Sequence, residues 1–188
     1  MKASRILPLL VGLAIAGVAG ASSPTSAPTL VETALHTAKA EHKGVLVIFH
    51  ASWCGWCKQL DKSFEVPAMK AVLDKDFVIL HVTVMEDPAH KADENPGGGD
   101  MMIKFGGQDA GLPFFVALGA QGQVVADSKV VSPGNPKPQN MGFPTEPNEI
   151  DHFIAMLKAS NPRLNAADAA AVHQVLVDRA AEIKAAHH

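Results

Sequence analysis

Val45-Leu46-Val47-Ile48-Phe49-His50-Ala51-Ser52-Trp53-Cys54-Gly55-Trp56-Cys57-Lys58 is the stretch that decides the fold. Its first five residues are apolar and partly β-branched without interruption, the pattern of a strand buried on both faces. Past the second cysteine, Cys57, Leu60 and Phe64 recur at the spacing of an amphipathic helix. The cysteine pair therefore sits where a central strand turns into a helix. These are the only two cysteines in 188 residues.

A thiol becomes a strong nucleophile on losing its proton. A free cysteine titrates near ~8.5, so only about 3% is thiolate at neutral pH. Unpaired N–H groups and the positive end of the helix dipole favour the anion by up to ~2 kcal/mol, about 1.5 pKa units, enough to bring such a sulfur to about pH 7. Cys54 stands at the predicted helix start. Cys57 lies one turn in, partly covered, close enough to hydrogen-bond Cys54 or to form a disulfide with it. We assign Cys54 as attacking nucleophile and Cys57 as resolving thiol, with a mixed disulfide between Cys54 and substrate as the intermediate that Cys57 cleaves.

Ala51-Ser52-Trp53-Cys54-Gly55-Trp56-Cys57-Lys58, with Trp before the first cysteine and Lys after the second, resembles the active-site segment of the thioredoxin-fold family. Asn95-Pro96-Gly97, Lys104-Phe105-Gly106 and Gly111-Leu112-Pro113-Phe114 resemble the segment leading to that family's cis-proline. The resemblance spans roughly Thr29 to Ser160. It implies an α/β thioredoxin fold, a central mixed β-sheet flanked by helices. It also implies that Pro113 is cis and packed against the disulfide, and that the backbone of Leu112 hydrogen-bonds an extended substrate. Trp53, Gly55, Trp56, Leu112 and Pro113 would then form the substrate surface around Cys54 and Cys57. Two positions depart from the family pattern. Gly55-Trp56 stands where ordinary thioredoxins carry Gly-Pro, and Ile48 stands where they carry a buried acid that helps deprotonate the second cysteine. His50, Glu86 and Asp87 are the nearby candidates for that base. Reduction potentials on this fold spread over ~150 mV, about 7 kcal/mol for two electrons, so the direction of exchange stays open.

The N-terminus has the layout of a secretory signal. Lys2 and Arg5 precede an apolar run from Ile6 to Val18, and Ala19-Gly20-Ala21 offers a cleavage site. An uncleaved anchor is the alternative, but the run is short for a span and contains Pro8. Residues 1–21 are thus expected to be a signal, 22–28 a Ser/Pro/Thr linker, 29–160 a thioredoxin-like domain and 161–188 a C-terminal helical extension. After cleavage no stable membrane insertion is expected, and the location is periplasmic or secreted. Acidic residues outnumber basic ones, 19 to 16, with no basic cluster, which speaks against nucleic acid as a partner. Two cysteines in an exported chain ordinarily make a structural disulfide, yet so small a loop constrains the unfolded chain little, so the redox reading is preferred.

Along the rest of the chain, Thr29 is expected to cap a first helix with Glu32 as its capping-box partner. Pro67 opens a second helix after the motif, carrying Met69, Val72 and Leu73 inward. Phe77 to Val84 reads as a strand and Glu86 to Gly99 as a loop. Asp100 to Phe105 reads as a short helix, with Met101 and Met102 packed beneath the loop. Phe114 to Leu118 and Gln123 to Asp127 form a hairpin. Ser132 to Pro147, rich in Pro, Gly and Asn, is a long connection that either faces a partner or covers the sheet edge. Asn148 to Lys158 is a core helix, and Asn165 caps a last helix with Val172, Val175, Leu176 and Ile183 on one face.

The favoured reading is an exported thiol-disulfide oxidoreductase that reduces protein disulfides, since apolar Leu112 before Pro113 and aromatic Trp53 look reductase-like. No cofactor is expected. A reductase in an oxidising compartment needs electrons, so a membrane thiol transporter is the implied donor. Alternatives are a disulfide oxidase or isomerase, a copper or other soft-metal carrier using the Cys54–Cys57 pair, and a non-catalytic adaptor.

Overall fold

A computed structural model describes residues 23–132 and 134–186. The expected signal at 1–21, Ser22 of the linker, and His187 and His188 lie outside the described residues.

Strand β1 (Gly44–His50) is central and buried along nearly its whole length. It pairs in parallel with β2 (Phe77–Thr83) and antiparallel with β3 (Phe114–Leu118), which pairs antiparallel with β4 (Val124–Asp127), giving the order β2-β1-β3-β4. Strand alternation divides β1 between two cores. Val45, Val47 and Phe49 face α1 (Ala27–Glu41) and α4 (Gly98–Met102), in one cluster with Val31, Ala34 and Met102. Leu46 and Ile48 face the opposite layer, built from α2 (Gly55–Phe64), α3 (Pro67–Asp76), α5 (Pro147–Ser160) and α6 (Ala166–Ala186). The mixed sheet flanked by helices is the architecture expected from the sequence. Ser160 at the end of α5 ties the layers together: its Oγ accepts from Val45 N at 2.9 Å and donates to Leu118 O at 2.8 Å.

Several boundaries differ from the sequence reading. Helix α1 starts at Ala27, not after Thr29, because Ser26 is the cap and its Oγ accepts from Thr29 N. Pro28, read as linker, sits in the first turn, where a missing N–H costs no helix bond. Helix α4 begins at Gly98 rather than Asp100 and runs into one wider turn, Ile103–Gly107, in which Gly106 takes a φ of 91°. The stretch from Ser132 to Pro147 is not one loop. Strands β5 (Lys129–Ser132) and β6 (Asn135–Asn140) form a separate two-stranded antiparallel sheet, and the chain then passes Phe143 into the core before α5.

Helix α6 places Ala169, Val172, Val175, Leu176, Ala180 and Ile183 in the same apolar cluster as Leu60, Phe64 and Phe153. Lys75 at the end of α3 pairs with Asp168 in its first turn, and Arg179 donates to Gln59 Oε1 of α2 at 2.9 Å. Asn165 caps it, accepting from Asp168 N at 2.9 Å. Among the described residues no helix is long and apolar enough to cross a membrane.

Candidate active site

Strand β1 ends at His50, and the chain turns at Ser52 and Trp53, where Cys54 N donates to Ala51 O at 3.1 Å. Cys54 is the N-cap of α2. Its φ of −74° and ψ of 105° are extended, and its sulfur accepts from Cys57 N at 3.1 Å, so one free donor of the helix end is spent on sulfur. Cys54 and Cys57 are joined by a disulfide, with Cα atoms 5.3 Å apart. Both are buried, at 3% and 1% exposure, against Ala51 and the side chain of Leu112. Exposure therefore does not separate the two sulfurs in this oxidised state, although the sequence reading expected Cys57 to be the more covered. Position on the helix separates them, since Cys54 alone is the cap.

The Leu112–Pro113 peptide bond is cis. Pro113 is buried, and the side chain of its neighbour Leu112 packs on the cysteines. Trp53 and Trp56 flank Cys54 at 54% and 46% exposure, and Gly55 between them is also exposed. Each indole is held. Trp53 Nε1 donates to Met85 O at 2.8 Å, and the Trp56 ring stacks on buried Phe143 with centroids 6.4 Å apart and planes at 19°. Beside them lies a cavity of about 540 Å³ lined by Trp53, Gly55, Trp56, Gln59, Ile183 and Ala186, with no charged side chain.

Each of the three candidate bases now has a place. Glu86 is buried and committed to the loop ahead of the motif: Oε1 accepts from Ser52 N at 2.6 Å and Oε2 from Ser52 Oγ at 2.7 Å. Asp87 is exposed and bonded to His90 at 3.0 Å, an interaction that lowers its carboxyl and raises the imidazole. His50 lies two residues along β1 from buried Ile48, hence on the same face. Its ring meets His81 edge to face at 5.1 Å, and its Nε2 is 3.3 Å from Thr83 Oγ1. His81 Nε2 is 2.9 Å from Asp61 Oδ1 on α2, one turn beyond Cys57. Burial, then His81, holds His50 below the ordinary imidazole value, against the opposing pull of Asp61 and Glu86. His50, His81 and Asp61 line an open cleft of about 420 Å³. Of the three, His50 shares a strand face with Ile48, the position of the missing acid, and the direction of its shift keeps it neutral near pH 7.

The sequence reading missed Ser52, Met85, Ser128, Asn140 and Phe143, all of which brace the site. Asn140 Nδ2 donates to Gly111 O at 2.7 Å and to Pro113 O at 3.0 Å. Among the described residues no group of three or more His, Cys, Asp or Glu side chains could hold a metal ion.

Comparison with known proteins adds to this geometry. A family model described as thioredoxin-like matches residues 27–120. The protein disulfide-isomerase of Aspergillus oryzae is 32% identical over 111 residues, which cover 58% of this chain and 21% of that protein, so the match spans about a fifth of the relative's length. A crystal structure described as the disulphide isomerase of Xylella fastidiosa Temecula1 is 21% identical, with 92% of this chain and 99% of that one covered and a TM-score of 0.49. The solution structure of a thioredoxin from Thermus thermophilus is 23% identical over 62% of this chain and 78% of its own, with a TM-score of 0.41.

Proposed function

Since the chain belongs to the thioredoxin-like family, we propose that it is an exported thiol-disulfide oxidoreductase that reduces protein disulfides. The observation that carries the reading is the Cys54–Cys57 disulfide at the mouth of α2, with the Cys57 amide on the Cys54 sulfur. A redox-active pair must be able to close into a disulfide, and a nucleophile needs its anion favoured, and one short segment supplies both.

In the reducing direction the Cys54 thiolate attacks one sulfur of a substrate disulfide. That S–S bond breaks, a Cys54–substrate bond forms, and the departing substrate thiolate takes a proton. Cys57, its proton passed to a nearby base, attacks the Cys54 sulfur and releases the second substrate thiol. Two electrons have moved to the substrate and the chain is left with the Cys54–Cys57 disulfide. A dithiol donor must then return them, and a membrane thiol transporter is the class that supplies electrons outside the cytoplasm. Trp53, Gly55, Trp56, Leu112 and Pro113 surround the pair as the substrate face, apolar Leu112 before Pro113 favours reduction, and the signal-like residues 1–21 support a periplasmic or secreted location.

The test is covalent trapping. Cys57→Ala leaves the attacking sulfur without its resolver, so mixed disulfides with protein partners accumulate, and they vanish in the Cys54→Ala, Cys57→Ala double variant. A Cys57→Ala protein that captures nothing, or captures equally without Cys54, overturns the reading. The equilibrium potential of the pair decides direction: a potential near that of cytoplasmic dithiols supports reduction, and a strongly oxidising one overturns it.

A further inference from the structure

We propose that Asn140, at the end of β6, is a positioning residue that fixes the backbone on both sides of Leu112 and thereby sets how well a polypeptide disulfide is held, leaving the sulfur chemistry to Cys54. The proposal rests on the disulfide-exchange reading above and deepens it.

The geometry begins at Ser128. This residue is fully buried, at 0% exposure, and its Oγ accepts from Phe115 N at 3.0 Å. Its hydroxyl hydrogen is then free to go to Asn140 Oδ1, 2.7 Å away. A hydroxyl can donate or accept toward Asn140, whereas a carbonyl only accepts, so the two carbonyls at the other end of the Asn140 amide settle which end is oxygen. The nitrogen end therefore points at the Gly111 and Pro113 carbonyls, at 2.7 Å and 3.0 Å, and both of its hydrogens are used. The same strand end is fastened to the sheet by Met141 N donating to Ser128 O at 2.9 Å and Ser128 N donating to Phe115 O at 2.9 Å. One residue further, a β-carbon on Gly142 would lie 3.9 Å from Pro113 Cδ, and Gly142 takes a φ of 58°, so the backbone there turns closely beside the proline ring.

Planarity turns these bonds into aim. The Gly111 carbonyl and the Leu112 N–H share one rigid peptide plane and point in opposite directions across it. Holding the carbonyl toward Asn140 sends the Leu112 N–H the other way. The second bond holds the Pro113 carbonyl, so the chain is anchored before and after Leu112, the residue whose side chain lies on the cysteine pair. A substrate that docks as an extended strand needs that backbone in place before it arrives. A small disulfide with no peptide backbone does not.

The test compares full-length reduced wild type, Asn140→Ala and Asn140→Asp in single-turnover reactions with a disulfide-bridged peptide and with 2-hydroxyethyl disulfide, followed by tryptophan fluorescence. Asp is nearly isosteric and still accepts from Ser128, but it has no hydrogens for the two carbonyls and sets a carboxylate oxygen against them, so it removes both bonds without removing the side chain. In both variants the half-saturating peptide concentration is expected to rise about tenfold, the scale of one hydrogen bond, with the limiting rate and the rate on 2-hydroxyethyl disulfide changed by less than about twofold. Unchanged peptide saturation, equal losses on both disulfides in a folded variant, or full rescue by Asp would each overturn the proposal. If Asn140→Ala does not fold, the isosteric variant decides. Wild type inert toward both disulfides is a different failure: it removes the disulfide-exchange reading and this proposal with it.

Discussion

The backbone amide of Cys57 donates to the sulfur of Cys54 across 3.1 Å, while no equivalent bond from the helix end reaches the Cys57 sulfur among the described residues. The helix therefore treats two chemically identical side chains differently. On reduction, the sulfur at the cap has its charge favoured by ~1–2 kcal/mol, which is about tenfold in reactivity at fixed pH. Iodoacetamide added to the reduced protein at neutral pH is expected to alkylate Cys54 about tenfold faster than Cys57, as read by peptide mass spectrometry at timed quench points. Equal rates, or a faster Cys57, would reverse the roles assigned here.

Glu86 holds the turn that delivers Cys54 to the helix. Its two oxygens take the Ser52 amide and hydroxyl at 2.6 Å and 2.7 Å, and the adjacent Met85 carbonyl takes the Trp53 indole. Hydrogen bonds to a charged group are worth about 1.5–3 kcal/mol, and a buried amide left without a partner costs on the same scale, so Glu86→Ala is expected to lower unfolding stability by about 2–3 kcal/mol. Glu86→Gln keeps one acceptor and is expected to lose about half as much. Guanidinium unfolding of the oxidised proteins measures both. An Ala variant as stable as wild type would mean that the turn holds itself.

What the sequence disclosed about this site was contiguous in the chain. The strand, the cap and the first turn of α2 are written in one run from Val45 to Leu60, and hydrophobic period and dipole position are local properties. Pro113 came from a second short segment. The braces were invisible because each joins distant positions through side chains with no pattern of their own: Asn140 is 27 residues from Pro113, and Glu86 is 34 from Ser52. Asn in a Pro/Gly-rich stretch reads as turn chemistry, which is how Ser132 to Pro147 was expected to be a loop, and nothing local distinguishes an Asn that clamps another segment. Pro28 misled in the opposite sense, since a proline that ends one helix pattern can equally open another.

His50 gives the fold a pH dependence of known sign. A proton on its imidazole must enter a half-buried site beside His81, so the folded chain binds it more weakly than the unfolded chain does. The stability that neutral His50 contributes is complete above the ordinary imidazole range near ~6.5 and is lost as pH falls through it toward the depressed folded value. His90 runs the other way. Its bond to Asp87 raises it, so its contribution is present below about 6.5 and fades as pH rises through the raised value. Urea midpoints measured across the acid range are therefore expected to fall on going from about pH 7 to about pH 5, with that slope reduced in His50→Gln and steepened in His90→Gln, which removes the opposing contribution. A His50→Gln protein with the full acid slope would place the sensitivity elsewhere.

Helix α6 is expected to unfold with the rest of the domain rather than ahead of it. Leu176 is fully buried and belongs to the cluster that includes Leu60 and Phe64 of the active-site helix and Phe153 of α5. The side chain it presents therefore fills space between elements that also hold the cysteine pair in place. Leu176→Ala removes it and leaves a cavity that close-packed neighbours refill only in part, a loss of about 2–5 kcal/mol. If α6 were a separate appendage, the variant would fray that helix alone: circular dichroism would show an early helical loss, and tryptophan fluorescence from Trp53 and Trp56 would keep its original midpoint. If α6 is part of the core, both probes shift together to lower denaturant and remain superimposable, because a two-state unit has one transition whatever reports on it. The shared cluster and the Arg179–Gln59 bond to α2 favour the second outcome, and separated transitions would overturn it.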